Sequence, residues 1–600
     1  MDLNNFNETI GSLSGGGASG GNVNLGSGVL TLAGDNTSTT YFGAISGAGG
    51  IVKEGSGVFT LGGGNNTYFG STVLNQGTLE TGVTNALSPN STVVMGTSVG
   101  ALLDLNNFSQ IIGGLAGGSA VGGYVSLGTA DLTLGGNNQS TTYSGVIEGG
   151  GQVTKIGTGT FTLAGANLFT GAITVADGTL NLSGSLSGNA IIDAFARIKG
   201  TGTVGGNLIV NNQGIVSPGN SIGTLHVGSY TNNGGIYEVE INGTGQSDLI
   251  ECSGNAVING GTVVVTSVDG IYDLAYKYVI VSAENVTGTY SNAVSTSSLI
   301  SPILLYDPQH VYLLVDINFV SAARTCNQIA VANELDTIIY PNAYEKPLLN
   351  ALLTMTSENI QQVLDQLSGQ QYTNDFFSTQ EINRDFIRRL YDPIRYIVTK
   401  KPLKQSFYHP CYGAEFDTNH NKFDVWIESG AGCTHVYNAK GARGFHLNGY
   451  EVTFGIQREI APNWTIGLAG SYESDDILYN YYGRGKSKTL LGGLYALYRP
   501  QNYYLLADFA YGFSKNSTKR SVTSDTLFYE MYSHPRIAQS TFYGEVGVDY
   551  AYKNYMVQPF AGLEVAIYNR QRVAETGGSA WNLVINKNEK ATVNTRLGVH

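Results

Sequence analysis

The segment between residues 157 and 182, GTGTFTLAGANLFTGAITVADGTLNL, decides how the first half of this chain folds. Apolar residues and threonines alternate in short runs, and each run ends at glycine or asparagine. A period of two indicates a strand with one buried face, and glycine and asparagine tolerate the positive φ angles of tight turns. The segment therefore predicts short strands joined by tight turns.

Similar text recurs along residues 1–316. The string DLNNF at residues 2–6 returns at residues 104–108, a shift of 102 residues. The same shift relates two shorter strings, LTL and FTL, to later copies. A single unit of this kind cannot bury its apolar face, so the copies are expected to stack into a solenoid. The leucines that should point into its core are Leu32, Leu61, Leu134 and Leu163.

Composition agrees with regular β-structure and excludes one class of partner. The 600 residues include 81 glycines, and only 13% of the residues are charged. Residues 1–316 carry 5 basic and 19 acidic residues, whereas residues 317–600 carry 27 basic and 26 acidic residues. An acidic first half repels phosphate backbones, so nucleic acid is excluded as its partner.

The four cysteines form neither a disulfide framework nor a CxxC metal motif. Cys411 and Cys433 could pair in an oxidising compartment, and the alternative is that Cys252, Cys326, Cys411 and Cys433 are ordinary thiols. No cofactor or metal site is predicted.

Two kinds of apolar segment would indicate localisation, a transmembrane helix and a signal peptide. The sequence has no apolar run of about 18 residues that would form a transmembrane helix. Residues 1–10 contain neither a basic n-region nor an apolar h-region, so no signal peptide is expected in this chain.

Residues 157–182 resemble the repeat associated with the passenger domains of classical bacterial autotransporters, the type V secretion proteins. Residues 217–225 (SPGNSIGTL) and 237–241 (YEVEI), followed by GQSD at 245–248, resemble the segment that ends those passengers. The resemblance implies a right-handed parallel β-helix over residues 1–316, with a terminal passenger segment from about residue 200 to 316.

Residues 317–423 read as a helical linker. Leucines that follow Pro347 keep the helical period as far as Leu367, and Gly369 suits a C-terminal cap. A second helix is expected from Ser378, with Glu381 completing a capping box, to about Pro393.

Residues 424–600 alternate with a period of two in segments of about ten residues. Val452, Phe454 and Ile456 alternate with Glu451 and Thr453, so one face is apolar and the other polar. A transmembrane β-barrel has this pattern, with lipid outside and a polar lumen. A soluble sandwich would show the same alternation, so the pattern alone leaves both open.

The family resemblance favours the barrel. Trp426, Gly430, Tyr450, Gly455, Trp464, Gly467 and Gly470 fall as in the first strands of the autotransporter translocator. The family barrel has about twelve strands and ends in an aromatic residue. Here about eight strand-like segments are visible and the chain stops at His600. Relative to the family, both termini are expected to be missing, so we expect this chain not to complete export by itself.

The barrel interpretation also places the second helix. Residues 378–391 carry Arg384, Arg388 and Arg389, which need polar partners. The helix is therefore expected at or inside the barrel lumen. The acidic residues on the presumed inner face are Glu451, Asp508, Glu545, Asp549 and Glu564.

Motifs that would indicate catalysis are weak. GTGTVG at residues 200–205 matches the dinucleotide fingerprint in letters only, because a strand follows it where a helix is required. GKS at 485–487 ends like a P-loop but lacks its first glycine. The first half has only His226 and His310 as histidines and no nucleophile motif. Its only basic residues are Lys53, Lys155, Arg197, Lys199 and Lys277. No catalytic, cofactor-binding or metal-binding residue is predicted.

These observations predict an autotransporter that exports and displays its own β-helical passenger and has no enzymatic activity. The passenger is expected to be an adhesin or to take part in another surface interaction, since a solenoid exposes a long face of side chains. Expected partners are outer-membrane lipid, the barrel assembly machinery and a host or cell-surface ligand. The alternatives are a β-helical glycan-active enzyme that carries its translocator, and a nonfunctional fragment.

Overall fold

The protein divides into two compact units, Met1–Asn318 and Phe319–His600. The structure is a computed structural model, which describes residues 1–17, 19–269, 276–338, 341–399, 423–438, 443–480, 483–524, 527–552 and 555–599. Cys411, which the sequence offered as a disulfide partner, lies outside the described residues.

The first unit is a parallel β-solenoid, as the repeats predict. Corresponding strands of successive turns are hydrogen-bonded in parallel, so that Leu30 lies beside Ile51 and Ile51 beside Thr72. A 14-stranded sheet runs along the unit. Its strands are Glu8–Thr9, Leu30–Leu32, Ile51–Lys53, Thr72–Leu74, Thr92–Met95, Gly114–Gly117, Thr141–Tyr143, Thr160–Leu163, Thr179–Leu182, Arg197–Gly200, Ile215–Pro218, Ile236–Asn242, Thr262–Asp269 and Asn292–Ser295.

Two further long sheets and one strand pair complete the solenoid. The second sheet contains Thr39–Tyr41, Val58–Leu61, Thr78–Thr81, Leu102–Asp104, Tyr124–Ser126 and Ile147–Glu148. The third contains Gln110–Ile112, Leu132–Leu134, Val153–Lys155, Ala166–Asn167, Ile173–Val175, Ser185–Leu186, Ala190–Ile192, Thr203–Val210, Thr224–Asn232, Leu249–Cys252, Asn255–Asn259, Tyr278–Ser282, Asn285–Thr289, Ile300–Tyr306 and His310–Ile317. The pair is Val23–Asn24 with Ile45–Ser46.

The solenoid core consists of the inward positions of these strands. The burial pattern along Leu30–Leu32 and Leu132–Leu134 alternates, with both leucines buried and the threonine between them partly exposed. The prediction for the four repeat leucines is confirmed, because Leu32, Leu61, Leu134 and Leu163 are all at most 1% exposed.

Asparagines in left-handed conformation connect one turn of the solenoid to the next. Asn138 has φ 62° and its Oδ1 accepts a hydrogen bond of 2.9 Å from the backbone N–H of Thr158. Asn36, one repeat earlier, has φ 63° and accepts from the N–H of Ser56 at 2.8 Å. Asparagine suits this place because its short side chain tolerates positive φ and supplies the acceptor. The turn residue therefore fixes the spacing to the following turn.

Two lysines of the solenoid are buried at equivalent repeat positions. Lys53 and Lys155 are each 1% exposed, and each Nζ donates to three backbone carbonyl oxygens. Burial lowers the pKa of both ammonium groups. Lys53 and Lys155, two of the five basic residues in residues 1–316, therefore have a structural role, because each links backbone carbonyl groups of neighbouring turns.

The solenoid ends in antiparallel pairing. The strand His310–Ile317 runs antiparallel to both Tyr278–Ser282 and Ile300–Tyr306. Just before this end, the buried carboxylate of Asp248 accepts hydrogen bonds of 2.8 Å from the backbone N–H groups of Gly223 and Glu240. Burial raises the pKa of Asp248 to about 7. Asp248 belongs to the GQSD string, so that motif joins two strands of the last turns.

The second unit begins with short helices. After a 3₁₀ turn at Phe319–Ala322 come α1 (Cys326–Asp336), α2 (Lys346–Thr354), α3 (Ser357–Leu367) and α4 (Gln371–Thr399). The predicted first helix is wrong in one respect, because Thr356 accepts a hydrogen bond from the N–H of Asn359 and starts a new helix within it. Gly369 does follow α3 with φ +67°, as a C-terminal cap requires.

The predicted bounds of the second helix are also wrong. Ser378 lies inside α4, where its hydroxyl donates back to the carbonyl of Asp375, and the helix continues past Pro393 to Thr399. The apolar positions of α4 begin at Tyr372, one and a half turns before Ser378, so packing extends the helix over a local start signal. Helix α1 was not predicted, although Thr325 and Gln328 form a capping box at its start.

Long antiparallel strands follow α4 and pair with their neighbours in sequence order. They are β1 (Asp424–Val436), β2 (Phe445–Ala461), β3 (Trp464–Tyr479), β4 (Gly483–Tyr498), β5 (Tyr503–Thr523), β6 (Phe528–Ser533), β7 (Arg536–Val548), β8 (Pro559–Arg570) and β9 (Asn588–Val599). Strand β6 pairs with the end of β5, beside the main path. Short pairs join Tyr550–Tyr552 to Tyr555–Val557 and Val573–Ala574 to Val584–Ile585, and a 3₁₀ turn covers Ser579–Trp581.

Burial in this sheet is the reverse of that in a soluble sheet. Thr453 is 0% exposed and Glu451 8%, whereas Phe454 is 53% exposed. The same parity holds in β3, where Leu468 is 53% exposed. The outward apolar face and the inward polar face agree with the predicted transmembrane barrel strands and not with a soluble sandwich.

Candidate functional site

The helix α4 lies inside the curved sheet of the second unit. Its apolar side packs against inward side chains of β3, β4, β5 and β7, in a cluster that includes Ile382, Phe386, Ile387 and Leu390. Phe376, one turn and a half earlier, packs against Ile537, Ala566 and Tyr568 of β7 and β8. Five strands of the sheet, β3, β4, β5, β7 and β8, therefore contact one helix, as expected for a helix in a barrel lumen.

One arginine of α4 reaches the acidic inner face. The Arg389 guanidinium forms an ion pair with Glu451 of β2 and lies 3.2 Å from Glu428 of β1, with Arg389 12% exposed. The prediction for Arg384 and Arg388 is wrong. They form ion pairs with Glu381 and Asp385 of the same helix, at 2.9 and 3.6 Å, and keep 44% and 63% of their side-chain surface exposed.

Three of the other predicted inner carboxylates pair with side chains of the second unit outside α4, and the fourth, Asp508, is 3% exposed. Glu564 pairs with Arg596 of β9, and Asp549 lies 2.7 Å from Arg499. Glu545 accepts hydrogen bonds from Tyr504 and Tyr543, at 2.6 and 2.5 Å. These three carboxylates therefore connect residues of the sheet and its turns to one another. The helix α4 pairs with other carboxylates, those of Glu428 and Glu451.

Aromatic rings that lie flat over glycines line the inner wall. A Cβ atom built on Gly455 would lie 2.2 Å from the Trp426 ring, so only glycine permits this contact. Gly467 stands in the same relation to Tyr495, with 2.0 Å. Trp426 Nε1 donates to the Tyr495 hydroxyl at 3.2 Å. The tryptophan and glycines that matched the family pattern therefore act together in packing neighbouring strands.

Polar side chains of α4 bind the wall along the helix. Tyr479 of β3 donates to Asp375 at 2.6 Å, and Thr518 of β5 lies 3.4 Å from the same carboxylate. About two turns further on, Asn383 Nδ2 donates to Thr541 of β7 at 2.7 Å. Asp375 and Asn383 are 0% and 1% exposed. These contacts fix the rotation of the helix as well as its position.

A buried ion pair holds the start of α4, and we call it the rim lock. Arg520 of β5 and Glu575 are both 0% exposed and meet at 2.5 Å. Arg520 also donates to the carbonyl oxygens of Gln366 in α3 and Trp581, at 3.0 and 2.7 Å. Tyr372, in the first turn of α4, donates to Glu575 at 2.8 Å. The rim lock thus joins two helices to the loop between β8 and β9.

The sequence did not indicate the rim lock. Arg520 lies on the inward parity of β5, which a period of two could have given, because Tyr504 and Leu506 share that face. Glu575 lies in an irregular segment between Val573–Ala574 and Ser579–Trp581, where no period exists to place it. Only the three-dimensional structure brings these two residues together.

The structure places the weak catalytic motifs and the two histidines of the first unit. Residues 200–205 and 485–487 lie on or beside strands, with none of the nine in a helix. His226 pairs with Glu251 at 2.9 Å, and His310 with Asp307 at 3.1 Å. Among the described hydrogen bonds, neither ring meets a serine hydroxyl.

Among the described residues, no group of three or more His, Cys, Asp or Glu side chains is arranged to hold a metal ion. Within the described part of the chain, no helix combines the length and the apolar character needed to cross a lipid bilayer.

Comparison with protein families names both parts of the chain. Residues 425–600 match the autotransporter β-domain, and residues 51–80 and 153–182 match the passenger-associated-transport-repeat. The chain therefore carries an autotransporter β-domain and passenger-associated repeats. The repeat that the sequence shows at residues 157–182 lies inside the second repeat match, and the β-domain match begins one residue into β1.

Two similar proteins are named for different functions. An extracellular serine protease of Serratia marcescens is 26% identical over 506 residues, which are 76% of this chain and 47% of that protein. The adhesin BmaC autotransporter of Brucella suis is 38% identical over 128 residues, 21% of this chain and 4% of that protein. The chain spans just under half the length of the serine protease.

One solved structure is also similar. It is the translocator domain of the autotransporter NalP from Neisseria meningitidis, with 21% identity and a TM-score of 0.26. The match covers 30% of this chain and 63% of the NalP chain.

Proposed function

We propose that the second unit carries the solenoid across the outer membrane and holds it at the cell surface, where the solenoid acts by binding. The observation that carries the export part is α4, which lies within the curved sheet and, in the sequence, between the solenoid and β1. A chain that passes through a barrel to the outside leaves this trace, a segment of itself in the lumen. Outer-membrane lipid and the barrel assembly machinery are the partners that such a unit requires.

The loops give the orientation of the barrel. Two residues join β2 to β3 and four join β4 to β5, whereas 17 residues separate β8 from β9 at the opposite end. Outer-membrane barrels have short turns on the periplasmic side and longer loops outside. The rim lock and the start of α4 then lie at the outer end of the sheet.

A binding role for the passenger rests on the solenoid surface. Its strands stack outward side chains in rows, as in the partly exposed Thr133, Thr154 and Thr174, and such a row offers a long face to a ligand. The partial match to an adhesin agrees with this role. The proposed ligand is a host or cell-surface molecule.

Surface display is tested by expressing the full-length gene in a Gram-negative host. Intact cells are treated with an external protease, and the β-domain is followed by its heat-modifiable migration. We expect an accessible passenger and an outer-membrane β-domain. Two variants form a matched pair. Arg389→Met should reduce display, because it removes the ion pairs with Glu428 and Glu451, whereas Arg388→Met should not, because Arg388 is largely exposed. A passenger that stays protected inside intact wild-type cells would contradict the proposal.

A second candidate function is an enzymatic passenger, which the serine protease relatives favour. The residues to test are His226 and His310, the histidines that pair with carboxylates. We expect no peptide or ester hydrolysis by the displayed passenger. If substrate turnover were observed and disappeared in His226→Ala or His310→Ala with display unchanged, the passenger would be an enzyme, and the proposed binding function would be wrong.

A further inference from the structure

Three basic residues form a row on the outer face of the barrel sheet. Lys488 of β4 lies directly opposite Lys515 of β5, and Lys515 lies directly opposite Arg536 of β7. All three side chains are exposed on the outward parity of their strands. We call them the basic row.

The basic row lies at the border of the apolar band. Leu490 and Phe513, two residues further along the same face, are 50% and 53% exposed. Two residues of a strand correspond to about 7 Å. The row is on the side of the longer loops, so it stands just outside the apolar band, at the depth of lipid headgroups in the outer leaflet. This placement rests on the proposed membrane function.

Nearby charges do not neutralise the row. Lys486 has Asp476 at 3.8 Å, and Lys519 has Glu530 as its ion-pair partner. In the described residues, no ion pair or hydrogen bond connects Lys488, Lys515 or Arg536 to a carboxylate. Arg484, opposite Lys519, adds a further cation. The region therefore carries an excess of positive charge.

An excess of this kind needs an explanation in a sheet. Side chains directly opposite each other have Cβ atoms about 5 Å apart, and like charges at that distance destabilise the pair. The repulsion becomes attraction when one anion lies between the cations. Phosphate is the anion that lysine and arginine bind best, arginine through paired hydrogen bonds.

We propose that Lys488, Lys515 and Arg536 form a docking surface for a phosphorylated lipid of the outer leaflet. The phosphate groups lie on the basic row, and the acyl chains lie along the exposed leucine and phenylalanine side chains below it. The occupant is a lipid and not free phosphate because the cations are continuous with the lipid-facing apolar band.

The test uses the folded full chain in neutral detergent and a bis-phosphorylated lipid A as the probe, with affinity measured by native mass spectrometry. The comparison ligands are the same lipid without phosphates and inorganic phosphate. We expect Lys488→Gln/Lys515→Gln to bind lipid A about tenfold more weakly or worse, because two charge-assisted contacts are lost. Lys488→Arg/Lys515→Arg should keep the affinity.

The matched control removes two exposed cations elsewhere on the same unit, in Arg572→Gln/Lys587→Gln, and should bind as the wild type does. Equal affinity of the wild type for the phosphate-free lipid, competition by inorganic phosphate at similar concentration, or unchanged binding by the glutamine variant would each overturn the proposal. Failure of the membrane function would show separately, as wild-type protein outside the outer-membrane fraction, while the detergent assay still reports lipid binding.

Discussion

The solenoid and the barrel sheet use the same alternation with opposite results. In the solenoid, Leu163 is 0% exposed and the threonine before it is partly exposed, whereas in β3 Leu468 is 53% exposed and Ser471 is buried. A period of two fixes that neighbouring side chains point to opposite faces, but not which face meets solvent. The surroundings decide, water around the solenoid and lipid around the barrel. The hydrophobic pattern alone therefore predicts where the strands lie. Which face of each strand is buried has to be inferred from another observation.

We expect the largest difference in stability when a buried ion pair and an exposed ion pair of the second unit are each broken. Glu575→Ala leaves Arg520 without its partner in a fully buried site, and we expect a loss of about 3–5 kcal/mol in the stability of the second unit. Glu530→Ala, which removes an exposed pair with Lys519, should cost far less, because solvent screens that pair. The midpoint of the heat-modifiable transition measures both. Equal effects would mean that the rim lock does not hold the unit together.

Truncating two leucines compares the two interiors directly. Leu163→Ala removes a side chain from the solenoid core and should destabilise that unit by about 2–5 kcal/mol. Leu468→Ala, on the lipid face, leaves no cavity inside the protein and should cost much less. Pulse proteolysis of the full chain, followed by the peptides of each unit, separates the effects. A larger loss for Leu468→Ala would reverse our assignment of inside and outside in the barrel sheet.

The solenoid should also respond to pH through one residue. The pKa of Asp248 in the folded state is about 7, above that of an unfolded aspartate, so the folded chain binds the proton more tightly. Stability should therefore decrease as pH rises between about 4 and 7, by about 2 kcal/mol from pH 5 to pH 8. Glu240 is the neighbouring carboxylate that adds to the effect.

Pulse proteolysis at the two pH values measures this dependence. In Asp248→Asn the decrease should be largely absent, since the amide does not titrate there. A wild-type solenoid whose stability rose between pH 5 and pH 8 would contradict the assignment.

The smallest effect concerns the turns, which the barrel sheet does not share. Asn138→Ala removes a side-chain acceptor and places alanine at φ 62°, and we expect a loss of about 1–2 kcal/mol. Asn138→Gly keeps the backbone conformation at no steric cost, so it isolates the hydrogen bond. Local hydrogen exchange at Thr158 provides the readout. No change in exchange in either variant would show that the turn asparagine does not connect successive turns.

The sequence was most informative where structure is periodic. The repeat shift located the solenoid core through residues such as Leu32 and Leu134, and the parity of β2 and β3 gave the faces of the barrel sheet. It was least informative for helix ends, since the start signal at Ser378 lost to packing that begins at Tyr372. The lumen helix was predicted from its arginines, yet only Arg389 reaches the wall. Which of three nearby arginines faces inward depends on a rotation that the sequence does not specify.

The asparagine bonds between turns have a consequence for how the solenoid assembles. Asn138 needs only Thr158, 20 residues later in the chain, and Asn36 needs only Ser56. Contacts of such short sequence separation close quickly and do not wait for distant parts of the chain. Each turn can therefore become ordered as soon as its neighbour is available. If the second unit exports the solenoid as we propose, an ordered turn is wider than the extended chain and should resist moving back through the barrel. We then expect ordering outside the barrel to act as a ratchet that favours passage in one direction.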